Sequence, residues 1–124
     1  EVRKVVPLDR ALQPFDAWIT GRKRFQGGAR LALPVVEQAG HQVKFNPLAN
    51  WTKADLDAYA IEQDLPAHPL VAQGFPSIGC WPCTKPVEDG QDARAGRWAG
   101  SEKTECGIHV ARAPGAVANV GGDI

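Results

Sequence analysis

Methionine is absent from these 124 residues. Translation starts with methionine, and its removal normally requires a small second residue, which Glu1 is not. The numbering is therefore expected to begin inside a longer chain. An excess of either charge is missing too, because 14 Lys plus Arg balance 14 Asp plus Glu. That excludes the global positive field of a nucleic-acid binder, so any anion site must be built locally. No apolar run approaches a membrane span, and the opening "EVRKVVPLDRAL" lacks the apolar core of a signal peptide. A soluble, cytoplasmic protein without a membrane or nucleic-acid partner is the expectation. Cysteine is scarce, with three residues. An odd number at tight spacing excludes a disulfide framework and points to metal or redox chemistry.

What is present in quantity is turn chemistry: 13 glycines and 10 prolines argue against a helical bundle. The length suits one modest domain. "VVPLDRALQPF" reads as a short amphipathic helix, with Leu8, Ala11, Leu12 and Phe15 on one face and Pro7 in its first turn. "DAWIT" reads as a buried strand running into the basic, glycine-bearing loop "GRKRFQGGAR". "LALPVVE" and "HQVKFNPL" look like two paired strands around a glycine connection. "NWTKADLDAYAIEQ" is the strongest helix signal: Thr52 is a natural N-cap, Asp55 follows three residues on, and Trp51 could staple against Leu56. Residues 65–87 read as loop. Residues 110–124, "VARAPGAVANVGGDI", are too small and glycine-rich to bury much surface and are expected to form a mobile tail. The expected class is mixed α/β with its chemistry on loops.

Three constellations carry that chemistry. In "CWPC", Cys80 and Cys83 are spaced to present two sulfurs to one metal or cluster, and Pro82 stiffens the turn. A thioredoxin-type redox pair would sit at a helix N-terminus, and "TKPVEDG" does not promise a helix. Adding Cys106 and His109 gives C-x2-C-x22-C-x2-H, a spacing that also suits a structural zinc site. Around Cys106, the cations Arg94, Arg97, Lys103 and His109 could surround an anion and favour an attacking thiolate. They could equally pair with Glu88, Asp89, Asp92, Glu102 or Glu105 on a solvated surface. The third constellation is "TGRKRFQGGAR", which suits phosphate binding at the carboxyl edge of a parallel sheet or, more weakly, a nucleic-acid patch.

Taken together, "VRKVVPLDRAL", "WITGRKRFQGGAR", "NPLANWT", "SIGCWPCTKPV", "ARAGRWAG" and "KTECGIH" resemble the assimilatory adenylyl-sulfate reductases, within the wider phosphoadenylyl-sulfate reductase family. The resemblance runs from about Val2 to His109. It implies the C-terminal half of a Rossmann-like, adenine nucleotide alpha hydrolase-type fold with a parallel sheet, followed by a loop-rich C-terminal segment. On that reading residues 1–109 belong to a single reductase domain whose N-terminal nucleotide-binding half is missing.

The activity implied is reduction of adenosine 5′-phosphosulfate to sulfite and AMP. Cys106 would be the nucleophile that becomes an S-sulfocysteine, and thioredoxin or a glutaredoxin-like dithiol would regenerate it. Lys4, Thr20, Gly21, Arg22, Arg24, Arg30, Arg94, Arg97 and His109 would meet the substrate. Cys80 and Cys83 would be two of four ligands to a [4Fe–4S] cluster. The other two, an adjacent Cys-Cys pair in the family, would precede the segment matching "VRKV" and are not in this sequence. Alone, the 124 residues would neither turn over substrate nor hold an intact cluster. Enzymes of the 3′-phosphorylated substrate typically lack the cluster cysteines, so "CWPC" favours the unphosphorylated nucleotide. A 3′-phosphoadenylyl-sulfate reductase, a zinc-stabilised module and a homo-oligomeric state stay open.

Overall fold

The computed structural model describes residues 3–103 and 105–109. The expected tail at 110–124 lies outside them. A helix α1 (Val5–Leu12) leads to strand β1 (Ala17–Ile19), then to β2 (Val36–Ala39), β3 (Gln42–Phe45) and a second helix α2 (Lys53–Glu62). The sheet has the order β1-β3-β2. β1 runs parallel to the central β3, with Ala17 opposite Val43 and Ile19 opposite Phe45. β2 is antiparallel, with Val36 opposite Phe45 and Ala39 opposite Gln42. The two segments expected to pair do so as a tight hairpin, and Gly40, at φ +69°, supplies the left-handed turn. The sheet is therefore mixed. Its parallel pair is the Rossmann-like element, and the hairpin is an antiparallel addition.

Alternation on β3 is reversed from the usual apolar-in pattern. Gln42 and Lys44 are buried while Phe45 is 40% exposed. Buried side chains here are mostly polar: Thr20, Arg22, Arg30, Gln42, Lys44 and Asn46. Gln42 has an evident task, since its Nε2 donates to the carbonyls of Leu12 at 2.6 Å and Phe15 at 2.8 Å. Leu12 O is the last carbonyl of α1, which the helix leaves without an intrahelical donor. α1 turns Val5, Leu8 and Leu12 inward, whereas Phe15, expected on that face, lies beyond the helix end and is exposed. Pro14 explains the early stop, because it has no N–H to continue the ladder.

α2 begins at a capping box: Thr52 Oγ1 accepts from the Asp55 N–H at 3.1 Å, and Asp55 Oδ2 accepts from the Thr52 N–H at 2.8 Å. Trp51 meets Tyr59 edge to face at 5.5 Å, a turn beyond the Leu56 that the sequence suggested as its partner. Residues 65–87 form no strand, but they include two 3-10 turns, Pro69–Gln73 and Trp81–Cys83. This loop is pinned to the segment after it by backbone bonds: Lys85 N–H to Gly96 O at 2.8 Å and Trp98 N–H to Cys83 O at 3.1 Å. Gly96 permits the approach, because a Cβ there would stand 2.1 Å from the Lys85 carbonyl oxygen. No helix among the described residues is long and apolar enough to cross a membrane.

Candidate active site

Three parts of the chain converge beside α1. The first is the N-terminal edge of α1 itself, where Lys4 is exposed. The second is the Trp81–Cys83 turn, closed by a Cys83 N–H to Cys80 O bond of 2.9 Å. The third is the Gly107–His109 turn, which packs on α1. Gly107 lets that turn come close, since a Cβ would stand 3.2 Å from Val5 Cγ2.

Lys4 links the cysteines of the two turns. Its Nζ donates to Cys106 Sγ at 3.6 Å. The interaction of the Lys4 ammonium with Cys80 holds the Cys80 thiol below its ordinary range and Lys4 above its own. Burial works against both shifts, and the charges of Arg97 and Arg3 add to the effect on Cys80. A ligand sulfur must be ionised, so this environment suits Cys80 to a metal or cluster.

Arg97 sits over the same turn. Its Nη1 donates to Ile78 O at 3.0 Å and lies 3.5 Å from Ser77 Oγ, and a Cβ at Gly79 would stand 2.3 Å from Nη2. Its guanidinium lies 4.6 Å from the Trp98 ring centroid and that of Arg94 lies 5.5 Å away. Trp98 has φ +53°, a left-handed conformation that a bulky residue adopts only where its surroundings enforce it. The alternatives weighed for these arginines thus divide. Arg94 comes within 3.9 Å of the Glu105 carboxylate, while Arg97 is held by neutral groups.

The basic loop after β1 is folded inward. Arg22 is buried, bonded to Glu37 and to Asn46 Oδ1 at 3.2 Å. Lys44 Nζ meets the same Glu37 at 3.1 Å and lies 4.8 Å from the Trp18 ring centroid. Thr20 bonds Asn46, which is fully buried. Burial raises the Glu37 carboxyl, but Lys44, Arg22 and Asn46 outweigh it and hold Glu37 below the usual range. Arg24 Nε donates to Leu33 O at 2.8 Å. Gly21 is exposed and faces open space. Arg30 is buried and grips Glu105 through two nitrogens, Nη2 reaching Oε2 at 2.8 Å.

His109 stacks on Trp18, with centroids 6.3 Å apart and rings 6° from parallel. Burial, then the charges of Arg22 and Arg30, lower its pKa to about 4, so the imidazole is neutral at pH 7. Its Nδ1 and Trp18 Nε1 are buried without a hydrogen-bond partner among the described residues. The sequence pointed to Lys4, Cys80, Cys106, Arg94, Arg97 and His109, and these line the convergence. Trp18, on which His109 stacks, was not singled out from the sequence, and Glu105 was weighed only as a partner of Arg94 or Arg97. The available signal for Glu105 was its place beside Cys106 in "TECGIH".

The four-ligand zinc arrangement does not form. Cys106 faces Lys4 and His109 faces Trp18. Among the described residues no three His, Cys, Asp or Glu side chains gather closely enough to hold a metal ion. Cys80 and Cys83 share one turn, and a four-cysteine set needs two more thiolates than this turn offers.

The Phosphoadenosine phosphosulfate reductase domain matches residues 1–86. An adenosine 5′-phosphosulfate reductase of Chelativorans sp. is 56% identical over 110 residues, 89% of this chain and 45% of that protein. One of Mesorhizobium japonicum is 58% identical over 110 residues, covering 89% of this chain and 43% of that protein. A phosphoadenosine 5′-phosphosulfate reductase of Gloeobacter violaceus is 54% identical, covering 88% and 47%. The chain thus spans just under half the length of these relatives. The crystal structure of phosphoadenylyl-sulfate reductase from Candida auris superposes with a TM-score of 0.54 at 36% identity, over 68% of this chain and 40% of that one. This chain belongs to the phosphoadenosine phosphosulfate reductase domain family.

Proposed function

We propose that this chain is the C-terminal half of an adenosine 5′-phosphosulfate reductase, with Cys106 as its nucleophile. The observation that carries the reading is Lys4, whose ammonium donates to Cys106 Sγ at 3.6 Å. A sulfuryl group ringed by anionic oxygens repels an approaching thiolate unless cations neutralise the approach. Lys4, with Arg94 and Arg97 beyond it, supplies those cations. Arg97 is the best placed to engage a new anion, because a carbonyl, a hydroxyl and a ring hold it and no carboxylate does so among the described residues.

In the first step Cys106 Sγ attacks the sulfate sulfur. The S–S bond forms as the sulfur–oxygen bond to the phosphate breaks, and AMP leaves with the electron pair. In the second step one thiolate of a thioredoxin or glutaredoxin-like protein attacks Cys106 Sγ and expels sulfite. Its partner thiol then resolves the mixed disulfide, so the dithiol is oxidised and Cys106 returns as a thiol. His109, neutral and stacked on Trp18, contributes a hydrogen-bonding nitrogen and no charge. Cys80 and Cys83 would hold one side of a [4Fe–4S] cluster, which would supply a fixed charge next to Lys4.

The test uses the full-length protein with thioredoxin and two nucleotides, adenosine 5′-phosphosulfate and its 3′-phosphorylated form. Sulfite release with a higher kcat/KM for the unphosphorylated substrate supports the reading. Preference for the 3′-phosphorylated substrate would shift it to the activity for which the Gloeobacter relative is named. No sulfite from either would sink it. In the isolated 124 residues, iron and labile sulfide should stay well below one cluster per chain.

A further inference from the structure

Cys106 is carried on a short turn, and one carboxylate on its N-terminal side fastens that turn to the sheet region. Glu105 reaches Arg30, 75 positions earlier, through Nε to Oε1 and Nη2 to Oε2 at 2.8 Å. Both side chains are nearly buried, at 10% and 13% exposure. Arg94 Nη2 stands 3.9 Å from Oε1 on the other side. Burial raises the Glu105 carboxyl, but Arg30 and then Arg94 outweigh it and hold it below the usual range.

Arg30 is itself prepared for this contact. Its Nη1 donates to Gln26 Oε1, and Gln26 Oε1 also accepts the Lys23 N–H at 3.1 Å. Gly27 and Gly28, at φ +71° and +59°, turn the chain so that Arg30 follows Gln26 by one short loop. A bidentate arginine–carboxylate pair fixes direction as well as distance. The socket thus exists on one side, and the plug is the residue next to the nucleophile.

We propose that Glu105 and Arg30 are positioning residues that together hold Cys106 Sγ in register with Lys4. Arg30 acts through Glu105 and does not bind the substrate directly. This rests on the reading of Cys106 as the attacking sulfur. A tether of this kind matters most where the reacting atom must arrive within a fraction of an ångström, and misplacement of about 1 Å can cost on the order of a hundredfold in rate.

The experiment compares Glu105→Gln, Arg30→Gln and the double variant in the full-length protein. Two rates are read: single-turnover formation of the Cys106 S-sulfonate from adenosine 5′-phosphosulfate, and Cys106 alkylation by uncharged iodoacetamide, resolved from the other cysteines by peptide mass spectrometry. Each single variant should slow sulfonate formation by roughly ten- to a hundredfold while nucleotide binding changes by less than about threefold. Alkylation should accelerate, because the turn is released from its anchor. The double variant should be no slower than the slower single one, since both remove the same contact. Multiplicative losses in the double variant would return Arg30 to direct substrate contact and overturn the proposal. Wild-type rates in Glu105→Gln would also overturn it. If the unaltered protein forms no sulfonate, the reductase reading fails by itself, and the alkylation series still decides whether the tether exists.

Discussion

The sheet and the cysteine loop hold their cations by opposite means. Around β3, Arg22 and Lys44 share the carboxylate of Glu37, and Asn46 completes the set. In the cysteine loop, Arg97 is held by the Ile78 carbonyl and the Trp98 ring, and Lys4 by two sulfurs. A cation set against a carboxylate has its charge offset within the fold. A cation held by dipoles and thiols keeps its charge for an arriving anion. Residues of the same type thus differ in what holds them, and sequence alone does not reveal the difference.

The comparison breaks most visibly at the sulfur itself. Cys106→Ser in the full-length protein should lower sulfite formation by at least ~10⁴-fold, because a hydroxyl replaces the nucleophile. Turnover assays with purified, cluster-replete protein check this, and cluster iron should be unchanged. Next is Arg97→Ala, which removes a cation held by neutral groups. A fall of roughly 10²- to 10³-fold in kcat/KM is expected, with a urea midpoint close to that of the unaltered protein. Arg22→Ala should behave in the opposite way. It removes one of the two cations that hold Glu37, leaving Lys44, and should cost about 2 kcal/mol of stability in urea titration. An Arg22→Ala protein that is fully stable yet inactive would erase the distinction between the two regions.

A smaller effect is expected from His109. Its pKa of about 4 in the fold lies below its ordinary 6.5. Between those values the unfolded chain binds more protons, so the His109 contribution to stability is lost as pH falls from 6.5 towards 4. Glu37 and Glu105, both shifted down, lose stability in the same acid direction. The His109 share is therefore read as the difference between the unaltered protein and His109→Asn, whose pH dependence should be flatter across that window. Least of all, Thr52→Ala should cost about 1 kcal/mol by opening the α2 capping box, with no effect on Cys106 alkylation.

Local signals made much of the fold legible. Thr52 with Asp55 marked the start of α2, and Gly40 between two β-rich runs marked the hairpin. The end of α1 was harder, because periodicity carried Phe15 along while Pro14 had already stopped the ladder. The reversed burial on β3 was not legible at all. Lys44 and Arg22 are inside because the Glu37 carboxylate, 7 and 15 positions away in the chain, pairs with both, and Asn46 accepts a further hydrogen bond from Arg22. The same holds for Glu105, whose partner lies 75 positions earlier. Cys106, Cys80, Cys83 and the arginines of "ARAGRW" stood out because their spacing is chemical and needs no tertiary context to be noticed.

The most direct measurement is the mass of Cys106 after the full-length protein, fully reduced, meets ³⁵S-labelled adenosine 5′-phosphosulfate without any dithiol. A labelled SO₃ group on the peptide bearing Cys106, released as sulfite when thioredoxin is added, is the predicted result. Label that appears on another residue, or sulfite formed with Cys106 never modified, would contradict the assignment.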